Sequence, residues 1–476
     1  MPTSFYYLAS RILICIGQLL IIRVMTSVLN PIEIGRFYIL MSFVSIILLF
    51  LINPISMYIS RHFYGWYRDG IGWLVMKKLA VFLVVISMAV TAVMLVLRNF
   101  HLLQNQLLYG NLYLFIPFLI VGTTISSYPQ ELLNIVGQSR AFFLLSNIEL
   151  WGKIGAIYVF ALFFPPIAMT VIGAITLWSL VFSFLSGSVL YIYIKDVRSK
   201  KFSSNFKGIR EIFNFAWPFS IATGLYWCQS DGYRFILQHV SGVEAVGKFV
   251  VGFNLGATLM IALDIFFHQL YLPTYYKEIS VETVESHTEA WNKYAQKVVG
   301  VFIPFGLYIA CAGPYLSHWL LHSTYWNVGV YAAFGAISQL FRIFSGSLNN
   351  GIIAQKQTRT MILPNLIGAV VVLGGTLLFT ERNPMVGTGI VLLLSYVAVS
   401  VGLYLKLSNK MRIRLPISDI FKSIKLITPV CIILLVSINF GFAAVPLFNI
   451  FILLVTGLIL IYTQWILSRD IWFVSR

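Results

Sequence analysis

Fourteen apolar blocks of roughly 20 to 28 residues fill nearly all of this 476-residue chain, each long enough to cross a hydrocarbon layer of about 30 Å as a helix. Without water to bond the backbone, only helices and closed barrels can span such a layer. The period-two alternation of barrel strands is absent. The expectation is therefore an all-α integral membrane protein, with spans beginning near Tyr6, Gly35, Lys77, Asn111, Ala141, Ile167, Ile212, Gly247, Gln296, Tyr325, Met361, Val386, Leu426 and Leu447.

The basic residues give a second, independent reading of the same count. Connections 2, 4, 6, 8, 10 and 12 and the C-terminal tail carry 24 of the 33 Lys and Arg, while the opposite connections carry only Arg36, Arg98, Lys248 and Arg382. By the positive-inside rule the richer side is cytoplasmic and both termini lie there. One missed span would have scrambled every connection after it.

Net charge is +17, but with 59% hydrophobic and 10% charged residues and a mean hydropathy of +0.86 this charge belongs to short cytoplasmic loops. Their expected partners are the head groups of membrane lipids. A nucleic-acid partner is not expected, because no connection is long enough to form a soluble basic domain. The first apolar block lacks a charged segment before it and a clear cleavage site after it, and is read as retained. Cys15, Cys228, Cys311 and Cys431 all fall inside spans and read as small apolar residues.

An internal repeat organises the chain. Ile34-Gly35-Arg36-Phe37 recurs as Val246-Gly247-Lys248-Phe249, and Gln138-Ser139-Arg140 as Gln357-Thr358-Arg359, with Asn147 and Asn365 following in the next spans. Both echoes are displaced by six helices. An even number preserves orientation, so two six-helix bundles should be related by a pseudo-two-fold along the membrane normal. The expected organisation is a bundle over 1–194, a basic cytoplasmic linker over 195–211, a second bundle over 212–405, a basic connection over 406–425 and two extra helices over 426–476. Prolines such as Pro54, Pro129, Pro304 and Pro364 interrupt or flank spans, where bends are tolerated.

Charge inside a span costs about 2.5 to 3.5 kcal/mol even on the lenient insertion scale, so Arg11, Arg23, Lys153, Arg234 and Arg342 are the candidate substrate-binding residues of a cationic cavity. Arg11 and Gln18 share a helix face, and Arg23 can snorkel from its span end. Glu149 with Lys153, and Asp231 with Arg234, have the spacing of intrahelical pairs. Arg342 has no acid within four residues and needs a partner from another helix, water or a ligand. Asp264 and His268 share a face and could exchange a proton. A cavity lined by such cations suits a bulky anion and repels organic cations, and Arg and Lys are the usual phosphate partners.

No Walker A sequence, cysteine-rich metal cluster or nucleophile elbow occurs, so no enzyme activity, metal or cofactor is expected. The acidic run Glu278, Glu282, Glu285 and Glu289 with His287 reads as a solvated helix face.

Fourteen spans in two halves plus a final pair, the passage Asn30-Pro31-Ile32-Glu33-Ile34-Gly35-Arg36-Phe37-Tyr38 and the turn Gly137-Gln138-Ser139-Arg140 together resemble the Wzx-type O-antigen and polysaccharide flippases of the multidrug/oligosaccharidyl-lipid/polysaccharide exporter superfamily. The resemblance implies movement of an undecaprenyl-diphosphate-linked oligosaccharide across a bacterial inner membrane for surface polysaccharide biosynthesis. It also implies alternating access, with the polysaccharide polymerase machinery as a partner. Proton or sodium coupling would use Asp231, Asp264 or His268. A drug exporter of the same superfamily, a peptidoglycan-precursor flippase and a membrane glycan polymerase or ligase remain alternatives. A drug exporter would call for unpaired acids in the cavity. A major-facilitator sugar transporter fits less well, because residues 61–70 lack its Asp-Arg signature.

Overall fold

The computed structural model describes residues 3–99, 115–194, 209–279, 283–355, 358–379 and 383–473, and within these it is helical with no strands. Eleven helices are long and apolar enough to cross a membrane, and Ile12–Val28 forms a shorter apolar one. The described chain forms two compact units, Met1–Trp227 and Cys228–Arg476. Most of the expected linker, 195–208, lies outside the described residues, as do Gln357 and Arg382.

The first unit contains α1 (Thr3–Val28), α2 (Pro31–Ile47), α3 (Asn53–Arg68), α4 (Gly72–Asn99), α5 (Phe115–Ile135), α6 (Ser139–Phe163), α7 (Ala168–Ile194) and α8 (Ile209–Trp227). α2 and α3 are one continuous 38-residue segment, joined by a π-helical stretch, Leu48–Ile52. Two residues later Pro54 can donate no N–H, so this helix is locally widened instead of broken. α8 serves the widened stretch. Thr223 Oγ1 donates to the Leu49 carbonyl at 2.8 Å, and Trp227 Nε1 to the Ser42 carbonyl at 2.8 Å.

Helix ends explain two of the motifs. Asn30 accepts the Glu33 N–H at 2.9 Å and Pro31 opens α2, an N-terminus stabilised by a side-chain cap and a pre-set φ. Gly137 has φ +81°, its N–H reaches the Asn134 carbonyl, and Gln138 N–H reaches that of Leu133. This Schellman pattern requires the left-handed residue that glycine supplies. Gly70 closes α3 in the same way.

The second unit opens on another π stretch, Cys228–Gly232. It continues through α9 (Tyr233–Glu278), α10 (Val284–Leu320), α11 (Tyr331–Ala354), α12 (Ile362–Phe379), α13 (Pro384–Ser408), α14 (Ile417–Asn439) and α15 (Pro446–Phe473). α9 is two helices in line, separated where Gly242 leaves helical conformation. With that division, and with α2 and α3 taken as one, the described residues form fifteen α-helical segments. α9 and α11 approach through Gly252 and Gly256, where an added Cβ would lie 2.3 Å from the Val328 carbonyl and 2.0 Å from that of Ala332. Such small-xxx-small spacing lets helices pack where lipid provides no hydrophobic drive.

α14 and α15 pack on α10 around Tyr315, Val430 and Leu434. Asn449 Nδ2 donates to the Tyr315 carbonyl at 3.1 Å. Their remaining faces are apolar and exposed, Leu447 at 82% and Leu458 at 66%, as expected for a surface whose solvent is lipid.

Candidate functional site

In the first unit Glu149 of α6 gathers polar partners from its own helix and two neighbours. Lys153 Nζ lies 3.5 Å from its Oε1. From α5, Ser126 Oγ donates to the same oxygen at 3.3 Å and Gln130 Nε2 donates to the other. Trp178 of α7 donates its indole N–H to the Glu149 carbonyl at 3.0 Å. The i,i+4 spacing reveals Lys153 from sequence. Ser126 and Gln130 carry no such signal, because they arrive from a neighbouring helix. A carboxylate satisfied from two sides is stable in a low-dielectric interior.

Glu33, which sequence reading treats only as part of a motif, is a second buried acid. It pairs with Arg36, and its Oε2 accepts the Ala168 N–H at 2.8 Å. Ala168 begins α7, so the carboxylate caps a different helix at its positive end. In the second unit the corresponding passage places Glu244 one turn before Lys248, 2.7 Å apart. Comparing the echoes one turn upstream would have found both acids.

The paired asparagines extend the repeat to side-chain contacts. Asn147 Nδ2 donates to the Phe143 carbonyl four residues back and to Ser10 Oγ of α1 at 3.2 Å. Asn365 Nδ2 donates to the Met361 carbonyl, again four back, while Gln229 Nε2 donates to the Asn365 carbonyl at 2.9 Å. Each asparagine thus meets a polar residue of the first helix in its own half.

The second unit's charges fall into separate groups. Asp231 sits in the π stretch, 2.6 Å from Arg234 Nη1, with Ser230 Oγ donating at 3.0 Å. The Arg234 side chain is only 10% exposed and its guanidinium lies 5.7 Å from the Tyr233 ring centre. On α11, Arg342 Nη1 donates to Gln339 Oε1 at 3.4 Å. A search restricted to acids passes over this neutral partner. His268 Nδ1 lies 2.9 Å from Asp264 Oδ1 and hydrogen-bonds the Asp264 backbone carbonyl at 2.9 Å. Arg23 is exposed, and the Arg11 side chain, with its expected seam to Gln18, lies outside the described residues.

The acidic run is helical on either side of 280–282, and Glu278, Glu285 and Glu289 are exposed, while Glu282 lies outside the described residues. His287 departs from the expected solvated face. It is buried, its Nε2 3.0 Å from the Ile279 carbonyl and its Nδ1 3.0 Å from Gln355 Nε2. Among the described residues no group of three or more His, Cys, Asp or Glu could hold a metal ion.

Helical segments in this order, a repeat seen in Asn147 and Asn365, and charges held inside apolar helices define a polytopic helical membrane protein. No family model and no curated protein sequence matches the chain. Among solved structures, an inward closed lipid II flippase MurJ matches with a TM-score of 0.70 at 12% identity, covering 98% of this chain and 99% of that one. A multidrug resistance MATE family transporter of the MOP superfamily matches in inward-facing and outward-facing conformations. Both have a TM-score of 0.55, at 13% and 14% identity, covering 86% and 84% of this chain and 95% and 96% of those. At this identity the likeness establishes the fold.

Proposed function

We propose that this protein is a flippase that moves an undecaprenyl-diphosphate-linked oligosaccharide across a bacterial inner membrane for surface polysaccharide biosynthesis, with both termini cytoplasmic. The observation that carries the reading is the full-length match to a lipid II flippase, against the smaller share of the chain matched by the drug-resistance transporters. The matched transporter adopts both inward-facing and outward-facing states, which supports alternating access here.

In this reading the diphosphate and sugar occupy a hydrated cationic cavity while the polyprenyl tail stays in lipid. The candidate cations are Arg11, Arg23 and Lys153 in the first unit and Arg234 and Arg342 in the second, and a fixed guanidinium fork suits phosphate oxygens. Arg342, whose guanidinium meets Gln339 at 3.4 Å, is the candidate for the phosphate contact. Asp264 with His268 is the candidate proton-coupling pair, and Asp231 the alternative. Lipid II itself is the second reading, favoured by the name of the matched flippase.

Reconstituted into proteoliposomes, the protein should move a fluorescent undecaprenyl-diphosphate oligosaccharide between leaflets, read by accessibility to a membrane-impermeant quencher, and should not export ethidium. Faster movement of lipid II than of the oligosaccharide selects the second reading. Gradient-driven ethidium export without movement of either lipid overturns both.

A further inference from the structure

Beyond the end of α13 the second unit carries a cavity that the flippase reading does not use. Between Ser408 and Ile417 the chain turns back on itself, the Lys410 and Met411 N–H groups reaching the Leu407 carbonyl and the Ile413 N–H that of Met411, and its side chains divide. Met411 and Ile413 are buried in the core beside Trp291, while Lys410, Arg412 and Arg414 are exposed. The strap is fixed to α10, where Asn292 Oδ1 accepts the Arg414 N–H at 2.9 Å. With its backbone held at Leu407 and at Asn292, the strap keeps the three cations in one row on its exposed side.

The row lines a cavity of about 560 Å³ whose other wall is one face of α10, bearing Glu285, Thr288 and Glu289. That volume is in the usual range for a small-ligand site, roughly 300 to 1,000 Å³. Among the described residues, no ion pair crosses the cavity: Glu289 pairs with Lys293 of its own helix at 2.8 Å. Bases on one wall and acids on the other are thus held apart by the strap's anchors.

We propose that this cavity binds a zwitterionic aminophosphate, its phosphate on Lys410, Arg412 and Arg414 and its primary ammonium on Glu285 and Glu289. A simple anion would meet the acidic wall unfavourably, and a simple cation the basic row. A primary ammonium can also donate hydrogen bonds to carboxylates, which a quaternary one cannot. The group could belong to phosphatidylethanolamine, because the strap begins where an apolar helix ends, or to a soluble phosphoethanolamine.

Native mass spectrometry of the full-length protein, delipidated and then given equal phosphatidylethanolamine, phosphatidylcholine and phosphatidylglycerol, tests the site. Wild type should retain phosphatidylethanolamine preferentially. Arg412→Gln/Arg414→Gln should lower that retention about tenfold or more, as expected for lost charge-assisted contacts. Glu285→Gln/Glu289→Gln should switch the preference to phosphatidylglycerol. In a separate arm, O-phosphoethanolamine binding by wild type but not by the Arg variant, without lipid retention, assigns the same chemistry to a soluble ligand. An unchanged lipid ratio in the Glu variant, or no binding of either aminophosphate, overturns the proposal. All four substitutions are at exposed positions, and circular dichroism of each variant checks that the fold is retained.

Discussion

The Glu33 carboxylate accepts the backbone N–H of Ala168 at 2.8 Å while pairing with Arg36 one turn along its own helix. One buried acid thereby ties the start of α2 to the start of α7. Removing it takes a buried acid from Arg36 and an acceptor from a helix-terminal N–H. Glu33→Ala should destabilise the protein by about 3 kcal/mol, the range for breaking a largely buried pair. Glu33→Gln should cost less, because the amide oxygen still accepts from Ala168. Thermal unfolding in detergent checks the order: equal shifts for the two variants would mean that Ala168 contributes nothing.

The π stretch before Pro54 depends on α8. Thr223→Val keeps the side-chain shape but removes the donor to the Leu49 carbonyl, and should cost about 1 kcal/mol, the net value of one hydrogen bond. Trp227→Phe removes the donor to Ser42 and should cost a similar amount. Because both bonds tie α8 to the same continuous helix formed by α2 and α3, the double variant should depart from additivity. Strict additivity in chemical unfolding would show that the two bonds act independently.

Arg342→Ala should reduce surface polysaccharide while membrane abundance stays normal. Arg342→Lys should restore only part of the activity, because an ammonium lacks the bidentate fork. Since Gln339 meets the same guanidinium at 3.4 Å, Gln339→Ala should give a milder loss by releasing the side chain from a fixed position. Immunoblotting for the glycan beside a blot for the protein separates transport from expression. Full activity of Arg342→Ala at normal abundance removes the residue from the substrate path.

Sidedness follows from the 24 to 4 division of loop cations. Cysteines introduced at Ser203 and at Ser408 should be shielded from an impermeant maleimide in intact cells and react after lysis. One at Asn383 should react in intact cells. Labelling of either basic connection from outside would invert the orientation.

The sequence by itself determined the all-helical class and the order of the apolar helices, because span length is a property of the chain against a bilayer and needs no knowledge of packing. It also disclosed the repeat, and the pairs Glu149 with Lys153, Asp231 with Arg234 and Asp264 with His268. Their partners lie three or four residues apart, and helix geometry alone brings them together.

Tertiary structure decided which polar groups meet from different helices. Glu33 with Ala168, Gln130 with Glu149, Gln229 with Asn365 and Thr223 with the Leu49 carbonyl are separated by 135, 19, 136 and 174 residues. No periodicity encodes such meetings. They depend on how helices rotate and tilt, which is set by close approaches such as Gly256 against Ala332. Tertiary packing likewise buried His287 and turned Lys410, Arg412 and Arg414 outward, because the neighbouring Met411 and Ile413 found a core to enter.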